Sequence, residues 1–64
     1  MTKPNTLLAN HLGKLAFANG IKGAPCLDKS FMKMIAGRQV GDARTIQEMR
    51  AWAAGWTAAN LAKS

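Results

Sequence analysis

The sequence predicts an all-α protein, a small three-helix domain in which a long C-terminal helix packs on an N-terminal helix with a short helix between them. Three observations carry this expectation. Apolar residues recur at three- and four-residue spacing in three stretches, glycines separate the stretches, and nothing alternates as a half-buried strand would. With 64 residues, residues 1–64 form a single domain, with helices expected at about 5–19, 29–36 and 43–62.

The first helix opens near Pro4, which suits a first turn, with either Thr2 or Asn5 as its cap. Leu8, Leu12, Leu15 and Ala16 form its apolar stripe, and Asn19-Gly20 stops it. Phe17 lies nearly opposite Leu8 and either finds a second packing surface or marks a contact site. The usual burial of Phe favours packing. Gly20, Gly23 and Pro25 then make a loop.

Asp28 is a good N-cap for the second helix, with Leu27 and Met32 placed for a hydrophobic staple. Phe31, Met34 and Ile35 share a face, and Gly37 closes the element. Two turns need tertiary packing to persist.

The third helix is the strongest. Thr45-Ile46-Gln47-Glu48 fits a capping box, and Asp42 offers an earlier start. Ile46, Met49, Ala53, Trp56 and Asn60 make a stripe, with Trp52 beside it. The far side carries Ala51, Ala54, Gly55, Ala58 and Ala62, a face small enough for another backbone to come close. The expected core is Leu8, Leu12, Leu15, Phe31, Ile35, Ile46, Met49, Trp52 and Trp56. Two indoles supply much of a core this size, and their N–H groups then need partners. An exposed platform for stacking bases is the alternative.

Nine Lys and Arg oppose three acidic residues, a net charge of +6, and 48% of the chain is apolar. That apolar fraction argues against a disordered tail. A domain this short buries only about 60% of its unfolded surface, so its core is thin. The single cysteine, Cys26, cannot form an internal disulfide and fits a reducing cytoplasm. No apolar run reaches the roughly 18 residues of a membrane span, and the N-terminus lacks a signal peptide's apolar segment. A cytoplasmic protein without membrane contact is expected.

Chemistry is poorly represented. One His, one Cys and three carboxylates show no diagnostic spacing. A nucleophile at Cys26 would need an oriented base and an oxyanion site besides His11. Cys26 reads better as a small buried apolar residue and His11 as a helix flank. Zinc wants three or four clustered ligands, and Gly20-Ile21-Lys22-Gly23 lacks the spacing of a phosphate loop. No enzyme, cofactor or metal is expected. The basic residues Lys14, Lys22, Lys33, Arg38, Arg44 and Arg50 instead suggest phosphate contacts with nucleic acid, against the plainer reading of a solubilising surface.

Two segments add a resemblance. Arg50-Ala51-Trp52-Ala53-Ala54-Gly55-Trp56-Thr57-Ala58-Ala59 resembles the Arg, Trp, Gly-Trp, Ala ending of ribosome modulation factor-like proteins, a group of small bacterial, plasmid and phage proteins. Gly13-Lys14-Leu15-Ala16-Phe17-Ala18-Asn19-Gly20 is similar to their first-helix pattern. Together the segments cover roughly a third of the chain. The group commonly carries Cys-Pro or Asn-Pro followed by Tyr between its helices, whereas this chain has Pro25-Cys26, no tyrosine, and a longer segment from Leu27 to Asp42. The resemblance implies a two-helix scaffold from the Gly13 and Trp52 regions with a short helix inserted, and association with ribosomes.

Three functions are thus expected in order. The first is a small basic RNA- or ribosome-associated regulator. The second is a phage- or plasmid-encoded inhibitor that binds a host protein through its apolar or alanine-smooth helix face. The last is a helix-turn-helix DNA binder, for which the turn from Gly37 to Asp42 is long. A homodimer is expected where the small-residue strip would otherwise stay uncovered.

Overall fold

The computed structural model describes residues 5–37 and 42–63, and every regular element among them is helical. Helix α1 spans Thr6–Ala18, α2 spans Lys29–Met34 and α3 spans Ala43–Lys63, with one 3-10 turn at Pro25–Leu27. The expected all-α architecture is present, with α3 packed chiefly on α1. Among the described residues no helix is long and apolar enough to cross a membrane.

Each start has a side-chain reason. Asn5 caps α1, its side chain accepting the Leu8 N–H at 3.2 Å; the alternative cap, Thr2, and Pro4 lie outside the described residues. The Asn5 N–H itself donates to Glu48 Oε2 at 2.8 Å. In a local capping box, a Glu at the third helical position takes that N–H. Leu8 occupies the position here, so Glu48 of α3, fully buried, fills the role from 43 residues away. The carboxylate also faces the positive end of the α1 dipole.

The other two starts are local. Asp28 caps α2, Oδ1 accepting from Ser30 at 3.0 Å and Phe31 at 3.4 Å. Asp42 caps α3, accepting the Arg44 N–H at 2.8 Å. The helix thus begins before Thr45, and the expected Thr45–Glu48 capping box is corrected: Thr45 lies inside α3 and Glu48 serves α1. The ends follow the glycines. Gly20 has φ +77° after α1 and Gly37 has φ +85° after α2, both in the left-handed region where a side chain is strained. Helix α2 stops at Met34, short of the expected 36, with Ile35 as its cap.

Helices α1 and α3 run side by side in the same direction. Asn5 meets Glu48, Asn10 meets Ala51, and Phe17 meets Trp56, so contacts advance along both helices together. At their crossing the backbones touch. A Cβ on Gly13 would collide with the Trp52 carbonyl oxygen, and one on Gly55 with the Asn10 carbonyl oxygen. Asn10 Nδ2 donates to the Ala51 carbonyl at 3.1 Å, tying the seam laterally.

That crossing rotates α1 away from its expected orientation. The buried face is Ala9, Gly13 and Ala16, while Leu8 and Leu15 remain 40% and 44% exposed. Side chains one position apart point about 100° apart on a helix, so the leucine stripe becomes the flank of the contact. The reason is steric: leucines at the centre would hold the backbones apart. On α3 the buried face is Glu48, Trp52 and Gly55. Ile46, expected in the core, sits on the opposite side and is 46% exposed, and Ala53 is exposed too.

The rest of the expected core is in place. Phe31 and Trp52 are completely buried, and Leu12, Ile35, Met49 and Trp56 are half-buried against the cluster these two form with Ala9 and Ala16. Leu27 and Met32, expected to form a staple, are both exposed.

Candidate nucleic-acid interface

The surface is best understood from its three carboxylates. Asp28 is buried; besides capping α2, its Oδ2 accepts the Trp52 indole N–H at 2.7 Å. Glu48 is buried at the start of α1. Asp42 caps α3 and pairs with the Arg44 guanidinium at 2.9 Å. Every acidic group is therefore engaged by a helix start, and helix starts draw carboxylates because their N–H groups lack intrahelical acceptors.

The cations take the remaining surface. Lys14 on α1, Lys22 in the first loop, Lys33 on α2 and Arg50 on α3 are exposed, as anticipated, and so are Lys29 and Lys63. None of these six forms an ion pair among the described residues. Arg44 is different. Its Nε and Nη2 donate to Asp42 at 3.3 and 2.9 Å. The hydrogen bond first, and then the charge of Asp42, hold the guanidinium above its ordinary value. Asp42 thus offsets its charge, whereas the six exposed cations keep theirs. Arg38 lies outside the described residues.

These cations come from every helix and the first loop, so the structure does not gather them into one pocket. What it supplies is a positive surface with little acidic counterweight. Phosphate attraction of that kind needs no base code and grows with each counterion released.

The aromatic rings turn inward. Trp52 lies 6.4 Å from Phe31 by ring centroids, at 52°. The Trp56 N–H donates to the Ile21 carbonyl at 2.8 Å, and Phe17 meets the Trp56 ring edge to face at 5.3 Å and 87°. Phe17 thus packs, as the burial argument favoured. Gly23 lies under the Trp56 ring, where a Cβ would come within 3.2 Å.

Two residues weighed for catalysis sit at the surface. His11 is exposed on α1. Cys26 is also exposed, which corrects its expected burial: it lies on the short 3-10 turn, which has no buried residue. Among the described residues no three His, Cys, Asp or Glu groups gather as metal ligands would.

Three features were missed by reasoning from sequence: the long-range role of Glu48, the second bond of Asp28, and the neutralisation of Arg44. Only the last had a local signal, since Asp42 and Arg44 are two residues apart. Comparison with known protein families, characterised proteins and solved structures found no match.

Proposed function

We propose that this chain is a small basic helical protein that binds RNA or the ribosome through phosphate contacts, acting as a regulator of the kind its resemblance to ribosome modulation factor implies. One observation carries the reading: all three carboxylates serve helix starts, while Lys14, Lys22, Lys33 and Arg50 are exposed and form no ion pair among the described residues. A merely solubilising surface has no such need to exclude acidic residues.

Titration of the protein into bacterial ribosomes and a mixed RNA pool tests this. Between about 50 and 200 mM salt, affinity should fall with a log–log slope of about −0.7 to −0.9 per phosphate contact. Lys22→Glu with Lys33→Glu should weaken binding to every sequence alike, because phosphate contacts position without specifying. Absence of binding to both at the lower salt removes the reading.

A second reading, an inhibitor that binds a host protein, has its own observation. Towards the C-terminal end of α3, Ala54, Ala58, Ala62 and the 68%-exposed Leu61 are all exposed, a surface of mostly small side chains. A complex recovered from lysate that survives nuclease treatment favours it. A second copy of the chain could cover the same end. Sedimentation equilibrium at micromolar concentration showing only a 6.8 kDa species excludes that arrangement.

A further inference from the structure

We infer that the phosphates this protein engages belong to double-helical RNA rather than to unpaired strands. The inference rests on the RNA-binding reading above and names the form of RNA. Proteins that hold single strands combine a basic track with aromatic rings on which successive bases stack. Here the rings are committed elsewhere. Trp52 and Phe31 are fully buried, and the Trp52 N–H is held by Asp28. Trp56 is fixed by the Ile21 carbonyl, the Phe17 ring and the backbone at Gly23. The chain contains no tyrosine. His11 is the one exposed ring among the described residues, and one imidazole is not a platform for several bases.

The cations point the same way. Among the described residues, five of the six exposed cations without an ion pair are lysines, whose ammonium groups act as point charges on phosphate; among these six the planar guanidinium that stacks on bases is present only at Arg50. They are distributed over α1, the first loop, α2 and α3. Double-stranded DNA presents a charge about every 1.7 Å of its axis. An RNA duplex, with two backbones on one axis, is likewise denser than a lone strand, and its regular backbone rewards dispersed point charges without any base being turned out.

The test uses the full chain, a blunt RNA duplex, and an oligouridine strand with the same number of phosphates. Binding is followed by electrophoretic mobility and by tryptophan emission at about 50 and 200 mM salt. The duplex should bind about tenfold more tightly at the lower salt, consistent with its charge density. Tryptophan emission should not be quenched by either RNA, and His11→Ala should bind as the parent does. Oligouridine binding as tightly as the duplex, or quenching the tryptophans, overturns the inference while leaving RNA binding intact. Failure of both RNAs to bind at the lower salt overturns the RNA-binding reading, and this inference with it.

Discussion

The two halves of the core are built by opposite means. Where α1 crosses α3, Gly13 and Gly55 bring backbone onto backbone, flanked by Ala9 and Ala16. Where α2 meets α3, large rings fill the space: Phe31 and Trp52 are both completely buried, and Asp28 satisfies the indole N–H. One seam removes volume so that helices approach; the other adds volume so that a two-turn helix has something to hold. Large residues are not in short supply, since Leu7, Leu8 and Leu15 stay exposed on α1 itself; the first seam selects for smallness instead. The comparison shows that burial and side-chain size can part company within a single small core.

Substitutions at each seam break the comparison in different ways. Trp52→Ala removes the largest buried side chain and strands Asp28 Oδ2. It should cost about 3–5 kcal/mol, a large share of a small domain's stability. Loss of helical circular dichroism at room temperature is the expected readout, and an unchanged melt would contradict the burial.

Gly55→Ala adds one methyl group and raises intrinsic helix propensity, yet the methyl would strike the Asn10 carbonyl. The net effect should be destabilising by about 1–3 kcal/mol, as for overpacking elsewhere. Chemical denaturation measures it. A stabilised variant would mean that the backbones stand further apart than described. Leu15→Ala sharpens the contrast from the other side. This leucine is larger than either glycine but 44% exposed, and its loss should change stability by no more than about 0.5–1 kcal/mol by the same measurement.

These substitutions also mark what could be read from the chain. Helix positions were legible because their punctuation is local: Asn5, Asp28 and Asp42 as caps, Gly20 and Gly37 as stops. The close approach at Gly55 was legible as well, since helical glycine is unfavourable without a packing reason. The rotation of α1 was not. A hydrophobic stripe is drawn through the largest apolar residues, and that rule misplaces Leu8 and Leu15 when the contact selects for smallness. The same rule misplaced Ile46.

The candidate interface divides similarly. That Lys14, Lys22, Lys33 and Arg50 lie outside follows from their charge. That all three acids are taken up by helix starts depends on one pairing 43 residues apart, Glu48 with Asn5, and the second bond of Asp28 reaches Trp52 across 24 residues. No local pattern announces a partner at such a distance.

The parallel course of α1 and α3 bears on how the chain reaches this state. Two helices joined by a tight turn meet antiparallel and early, because little chain must be closed. Here the seam joins residues 39 to 45 positions apart, so neither the glycine crossing nor buried Glu48 helps until that long stretch of chain is closed. Helix content can rise within about a microsecond, but docking awaits that non-local closure. Folding should therefore be slower than in helical bundles whose contacts are mostly local. For all its small size, this protein has to close a contact 43 residues apart before the Asn5 N–H at the start of its first helix finds its partner.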